Sequence, residues 1–199
     1  TWSETDGGTE RSWMSPAQCL DFFWVAFQGA TTYNSPALLG LADGSTLVVY
    51  KRTVTAVVTL RSVIISAEGQ SISPEVTIGA GGGATTVPAL CQLPTGRILL
   101  ADSGNVGWYS DDSGNTWVES AGNEGPGGGR YSLAYHGGYL TMVAQDAGTG
   151  CRSSTSSDQG GNWTPDVAGG GSYGAYTGAS CLGLPDGGVG MLFVDTADG

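Results

Sequence analysis

Short apolar runs, each broken by a glycine-bearing turn and resumed beyond it, recur along this chain. Pro36-Ala37-Leu38-Leu39-Gly40-Leu41-Ala42-Asp43-Gly44 leads into Ser45-Thr46-Leu47-Val48-Val49-Tyr50. Pro88-Ala89-Leu90-Cys91-Gln92-Leu93-Pro94-Thr95-Gly96 leads into Arg97-Ile98-Leu99-Leu100-Ala101. Ser180-Cys181-Leu182-Gly183-Leu184-Pro185-Asp186-Gly187 leads into Gly188-Val189-Gly190-Met191-Leu192-Phe193-Val194. A weaker copy runs through Leu133-Ala134-Tyr135-His136-Gly137-Gly138 to Tyr139-Leu140-Thr141-Met142-Val143. Two apolar runs joined by an Asp-Gly-type turn form a β-hairpin signature. The anchoring glycines Gly44, Gly96, Gly138 and Gly187 are spaced 52, 42 and 49 residues apart. No long apolar stripe with the roughly 3.6-residue helical period is present. The pattern therefore predicts an all-β chain of repeated hairpins. Residues 15–34 are the least repetitive part, and Asp21-Phe22-Phe23-Trp24-Val25-Ala26-Phe27 is too short to cross a membrane and predicts a buried strand.

Between these hairpins lies a second repeat. Ser110-Asp111-Asp112-Ser113-Gly114-Asn115-Thr116-Trp117 recurs as Ser156-Ser157-Asp158-Gln159-Gly160-Gly161-Asn162-Trp163, and both read Ser-x-Asp-x-Gly-x-Thr/Asn-Trp. An Asp side chain accepts hydrogen bonds from backbone N–H groups just downstream, and Gly takes φ > 0 in a tight turn. Hydroxyl side chains satisfy nearby backbone groups, and Trp supplies a large apolar plug. Ser66-Ala67-Glu68-Gly69-Gln70-Ser71 reads as a decayed copy, and Thr5-Asp6-Gly7-Gly8 with Trp13 as another with an insertion.

The repeat resembles the Asp box, or bacterial neuraminidase repeat, of sialidase-like β-propellers. The resemblance implies four-stranded antiparallel blades, with the box closing the outer hairpin on the side away from the ligand-binding face. Ser110, Asp112, Gly114, Thr116, Trp117, Ser156, Asp158, Gly160 and Trp163 are then structural box residues. A period of this size in strand-rich sequence itself indicates propeller blades. The chain is expected to form a single Asp-box propeller domain or propeller segment over 1–199. Its parts would be a partial blade at 1–34, blades at about 35–80, 86–125 and 130–172, and a partial blade at 178–199. Residues 178–199 and 1–14 could complete one blade between them, giving about four blade equivalents. The favoured expectation is a segment of a longer polypeptide.

Composition narrows the partners. The net charge is −11, and Lys51 is the only lysine. A surface this acidic repels phosphate backbones and anionic lipids, so neither nucleic acid nor membrane insertion is expected. Few charges and many Thr, Ser and Gly fit an extracellular or virion-surface location. The glycine runs Gly81-Gly82-Gly83, Gly127-Gly128-Gly129 and Gly169-Gly170-Gly171 read as inter-blade loops. None has the Lys-Ser/Thr order of a phosphate loop. Cys19, Cys91, Cys151 and Cys181 lack Cys-x-x-Cys spacing, and with one histidine in the chain neither a metal site nor a cofactor is expected. Cys91 and Cys181 sit at successive offsets in their repeats and should point to opposite strand faces. Asn162-Trp163-Thr164 is a glycosylation sequon, discounted because it lies inside a box.

The resemblance also sets a test for chemistry. Sialidases use an arginine triad, a Tyr–Glu nucleophile pair and an Asp acid/base, with the first Arg two residues before a proline. The matching positions here are Asn34 before Pro36 and Thr86 before Pro88. Arg52 and Arg130 could face the central funnel, whereas Arg97 and Arg152 are in the wrong contexts for a triad. Asp146 and Asp195 both lie eight residues beyond their hairpin glycines, with Asp102 nearby in a third repeat, and are weak acid/base candidates. His136 is read as an exposed turn residue. Tyr33, Asn34, Arg130, Tyr131, Tyr173 and Tyr176 precede or begin inner strands, where tyrosines can stack on sugars and Asn or Arg can satisfy hydroxyls or carboxylates. The expectation is a non-catalytic module that binds a glycan or a protein partner, within a larger assembly. The alternatives are a glycoside hydrolase with part of its catalytic set outside this chain, and a structural phage tail or capsid component.

Overall fold

The computed structural model describes residues 3–6, 9–12, 32–81, 87–102, 107–120, 130–146, 150–165, 167–168, 176–184 and 188–195. These residues form strands and turns, with no helix among them. The first blade comprises β3 (Thr32–Gly40), β4 (Thr46–Val54), β5 (Val57–Ile65) and β6 (Val76–Ala80). The second comprises β7 (Ala89–Gln92), β8 (Ile98–Ala101), β9 (Gly107–Ser110) and β10 (Val118–Ser120). The third comprises β11 (Arg130–His136), β12 (Tyr139–Asp146), β13 (Gly150–Ser156) and β14 (Val167–Ala168). Each is a four-stranded antiparallel meander in chain order. Two further hairpins, β15 (Tyr176–Gly183) with β16 (Val189–Asp195) and β1 (Ser3–Asp6) with β2 (Thr9–Ser12), are separate two-stranded sheets. The first strands β3, β7, β11 and β15 contact one another in succession, so the blades converge on them in a β-propeller arrangement of about four blades.

The hairpin glycines behave alike in two of the four repeats. Leu41 donates its N–H to the Ser45 carbonyl at 2.8 Å and Leu93 to that of Arg97 at 2.8 Å, with Gly44 and Gly96 at φ 83° and 90°. Leu184 makes the same bond to Gly188 at 2.9 Å, while Gly187 lies outside the described residues. The third repeat differs. His136 pairs directly with Tyr139, so Gly137-Gly138 is a two-residue turn and His136 is the last strand residue rather than a turn residue. Both glycines there have positive φ, as a twisted two-residue hairpin requires.

Strand alternation sorts the core into layers between blades. Leu41, Leu47, Val49 and Leu60 of the first blade meet Ile98, Leu100 and Trp108 of the second. Ala89, Cys91 and Leu93 of the second meet Tyr131, Leu133, Leu140 and Met142 of the third. Ala134 and Val143 of the third meet Cys181 of β15. Each fully buried leucine contributes about 1.5–3 kcal/mol. Cys91 and Cys181 are both buried free thiols on opposite faces of their hairpins, Cys91 paired with Leu99 and Cys181 with Met191. Burial pushes Cys91 up to about 11 and raises Cys181 as well. Cys19 lies outside the described residues, as do Trp13 and Asp21–Phe27.

The outer faces of the array lack this cover among the described residues. Leu41 and Leu93 are 8% and 3% exposed, whereas Leu184 in the matching turn is 39% exposed. Leu38, on the opposite outer face, is 65% exposed.

Candidate functional site

A four-stranded meander places the first-to-second-strand turn and the third-to-fourth-strand turn of each blade at one end. Both Ser-x-Asp-x-Gly turns lie at this end. In the first, the Ser110 hydroxyl donates to Asp112 Oδ1 at 2.8 Å and accepts the Gly114 N–H at 2.8 Å. Asp112 Oδ1 accepts the Thr116 N–H at 2.8 Å, and its Oδ2 accepts the Thr116 hydroxyl at 2.6 Å. In the second, Ser156 donates to Asp158 at 2.7 Å and accepts the Gly160 N–H at 2.8 Å. The Asn162 N–H and side-chain amide then bind the two Asp158 oxygens at 2.8 and 2.6 Å. Asn162 thus replaces Thr116 donor for donor. The backbones match too, with Ser113-Gly114 at φ 60° and 92° and Gln159-Gly160 at 63° and 92°.

These bonds hold both carboxylates ionised. The Asn162 amide, then the Asn162 N–H and the Ser156 hydroxyl, bring Asp158 down to about 2. At Asp112 burial raises the carboxyl, but hydrogen bonds from Thr116, Ser110 and Asn115 together outweigh it and leave it below the ordinary range. Neither carboxylate has spare capacity for acid/base chemistry. The tryptophans are half-buried. Trp117 packs with the first-to-second-blade core and donates from Nε1 to Gly114 O at 3.1 Å and to the buried Ser62 hydroxyl at 3.2 Å. Trp163 packs with the next core. Each turn therefore pins its own blade to the preceding one. The 66–71 turn closes differently. Ser66 and Ser71 are joined by backbone bonding, the Ser66 hydroxyl accepts the N–H groups of Gln70 and Ser71, and Ala67 supplies no carboxylate. The sequon is engaged as well: Asn162 donates to Asp158, and the Thr164 hydroxyl accepts the Thr155 N–H at 2.9 Å.

The opposite end carries the sequence-predicted ligand residues. Tyr33 pairs with Arg52 and Asn34 with Lys51 where β3 begins. Arg130 pairs with Gln145 and Tyr131 with Ala144 where β11 begins, and Tyr176 pairs with Asp195 where β15 begins. Asp146 pairs with Gly150 at the end of β12. The fold thus brings Tyr33, Asn34, Arg130, Tyr131, Tyr176, Asp146 and Asp195 to one end of the inner hairpins. Tyr131 is 6% exposed and packs into the second-to-third-blade core, so it serves the inter-blade contact. Tyr173 lies outside the described residues.

Beneath this rim, two features were not singled out in the sequence. Lys51 Nζ lies 2.7 Å from Asp102 Oδ1, with both side chains almost fully buried between the first and second blades. Burial lowers the Lys51 ammonium and Asp102 opposes that shift. Asp102 is therefore a bracing residue and not a funnel carboxylate. On the outer face of the first blade, Glu75 accepts the Tyr50 hydroxyl at 2.5 Å and pairs with Arg52 at 2.9 Å and Arg61 at 3.3 Å. Arg61 also donates to the hydroxyls of Thr77 and Thr59. Both guanidiniums are committed to Glu75, so a substrate carboxylate would have to displace it. Arg52 retains one N–H, at Nε, without a hydrogen-bond partner. Arg97 is likewise committed: it forms a two-point ion pair with Asp111 at 2.7 and 2.9 Å and lies 4.3 Å over the Tyr109 ring. Among the described residues, no group of three or more His, Cys, Asp or Glu side chains is placed to hold a metal ion.

No protein-family model matches the chain, and no curated protein sequence matches it significantly. Solved structures do. A protein of unknown function from Dyadobacter fermentans matches at 18% identity and a TM-score of 0.61, over 82% of this chain and 60% of that one. A NanB structure with optactamide matches at 18% identity and a TM-score of 0.57, over 80% and 27% of the two chains. NanB is named in a further matching structure as a sialidase from Streptococcus pneumoniae. A Trypanosoma rangeli sialidase matches at 15% identity and a TM-score of 0.52, over 83% and 34%. The chain spans less than two thirds of the length of each of these three proteins. Likeness at this identity shows a sialidase-like β-propeller fold, and the fold does not carry the activity with it.

Proposed function

We propose that this chain is a non-catalytic Asp-box propeller module that binds a glycan at the end of the blades opposite the Ser-x-Asp-x-Gly turns. The observation that carries this reading is the gathering of Tyr33, Asn34, Arg130 and Tyr176 at that one end, above the buried Lys51–Asp102 brace. Tyrosine faces suit sugar rings, and Arg and Asn suit their hydroxyl or carboxylate groups. The commitment of Arg52 and Arg61 to Glu75 weighs against a carboxylate clamp of the kind hydrolysis of a sialoside needs. An extracellular or virion-surface setting, within a larger assembly, fits the acidic, lysine-poor composition. The test is a glycan array with purified protein, beside turnover of a fluorogenic sialoside. Binding weakened by Tyr33→Ala or Arg130→Ala, without turnover, supports the reading. Hydrolysis that Asp146→Asn or Asp195→Asn abolishes would replace it with the glycoside hydrolase alternative.

A further inference from the structure

A cavity of about 160 Å³ lies between the second and third blades and runs from the Ser-x-Asp-x-Gly turn at Asp158 and Gly160 toward Asp102, Gly107 and Tyr131 near the opposite end. Its origin can be read from the register. In the second blade Leu100 pairs with Trp108, and in the third Met142 pairs with Ser154. Measured from the two equivalent turn serines, Ser110 and Ser156, Ser154 occupies the position of Trp108. Between the first and second blades the Trp108 indole fills the gap. It is 4% exposed and lies so close over Gly79 that a Cβ there would sit 2.9 Å from its Nε1. Between the second and third blades only a serine projects from that position. On the facing wall, Gly107 stands where the first blade has Ser62. Two reductions in side-chain volume thus coincide at one interface.

The space left is walled by Ala101, Gly107, Tyr109, Met142 and Trp163. Arg97 and the exposed Asp158 also line it, so it opens to solvent at the turn end. The lining is mixed, with Asp102, Ser120 and Gln159 standing beside the rings. Protein interiors are close-packed, and an unfilled space of this size between packed blades is uncommon. An apolar cavity of about 150 Å³ suffices to bind benzene. We propose that this inter-blade cavity is a binding site for a small, flat, neutral aromatic molecule of the indole class, which occupies the space that Trp108 fills at the neighbouring interface. The tyrosine and tryptophan rings and the methionine thioether suit an aromatic guest by ring-edge and sulfur–aromatic contacts.

The test uses 5-fluoroindole as probe, followed by ¹⁹F NMR on the full chain, with N-acetyltryptophanamide as a second arm to separate a free aromatic molecule from a tryptophan presented by a peptide. Wild-type protein should bind 5-fluoroindole saturably, and more tightly than the bulkier amide. Gly107→Leu, at a position with ordinary φ where a Cβ would meet only ordinary contacts at 3.7 Å to Ser120 and 3.9 Å to the Leu100 carbonyl, should weaken binding at least tenfold. Ala101→Leu, from the same wall, is the second filling variant, and circular dichroism checks that each remains folded. Tyr139→Ser, at an exposed site in the third blade, should bind as the wild type does. Absence of saturable binding by the wild type would overturn the proposal. So would unchanged binding in both folded filling variants, or tighter binding of the amide, which would assign the cavity to a protein partner.

Discussion

Removing the Asp102 carboxylate should destabilise the fold far more than removing the whole Lys51–Asp102 pair. At 2.7 Å the two charges attract by about 6 kcal/mol for an effective dielectric near 20. Withdrawing each from water costs several kcal/mol, so the pair as a unit is close to neutral. Asp102→Ala keeps the cost of burying Lys51 and deletes the attraction, and should lower stability by about 3–5 kcal/mol. Lys51→Met combined with Asp102→Leu removes both terms and should lie within about 1 kcal/mol of the wild type, or above it. The third blade already carries a fully buried Ala144 at the register position of Asp102, so the fold accepts an apolar residue there. Urea denaturation of the wild type, Lys51→Met, Asp102→Leu and their double variant supplies the cycle, with Asp102→Ala measured beside them. The pH dependence gives a separate reading. Because the folded Lys51 pKa lies below the ordinary 10.5, the unfolded chain binds more protons between the two values, and stability rises with pH across that window. In Asp102→Ala the folded value falls further, so the rise should begin at lower pH. A loss below about 1 kcal/mol in Asp102→Ala, or a double variant weaker than both single ones, would refute this account of the brace.

Three further outcomes follow from the turns. Thr55 and Ala56, between β4 and β5, have φ 49° and 66°, a conformation costing L-residues about 1–2 kcal/mol each. Thr55→Asn with Ala56→Gly should therefore raise the urea midpoint, and an unchanged or lower midpoint would count against strain at this tip. Trp117→Ala should cost about 2–3 kcal/mol by thermal denaturation, below the value for a fully buried ring because the indole is half-exposed. The Asp158 turn should hold above the ordinary carboxylate pKa of 3.8 and loosen as pH falls from there through about 2, because its depressed pKa stabilises only the ionised form. Asp158→Asn should remove that acid-side dependence in amide exchange at Gly160, and an identical profile in the variant would sink the assignment.

The hairpins and the two Ser-x-Asp-x-Gly turns are legible in the sequence because local backbone chemistry specifies them: positive-φ glycines, a short acceptor side chain and its donors all lie within eight residues. The two-residue turn at Gly137-Gly138 is harder to read, since one residue fewer in the loop leaves the apolar pattern on either side intact. Lys51 and Asp102 meet only through packing of one blade on the next, and nothing local marks either as a partner. Glu75 is similar: its ties to Tyr50, Arg52 and Arg61 follow from the register of β4, β5 and β6. Tyr131 read as a ligand residue because strand starts border the rim, but alternation turns it into the neighbouring blade. The cavity becomes legible only once Trp108 and Ser154 are aligned through their strand pairing.

Blades that contact chiefly their sequence neighbours form a short one-dimensional array, whose stability is a sum of unit terms and nearest-neighbour couplings. The couplings here are unequal. The junction between the first and second blades holds a buried ion pair and a tryptophan plug beside its apolar core, while the next junction, with an apolar core of its own, has an alanine and a serine at the matching positions and a void between the blades. Under mild denaturant the array should part at that void, so that residues 32–120 and 130–195 exchange their amides as two separate foldons.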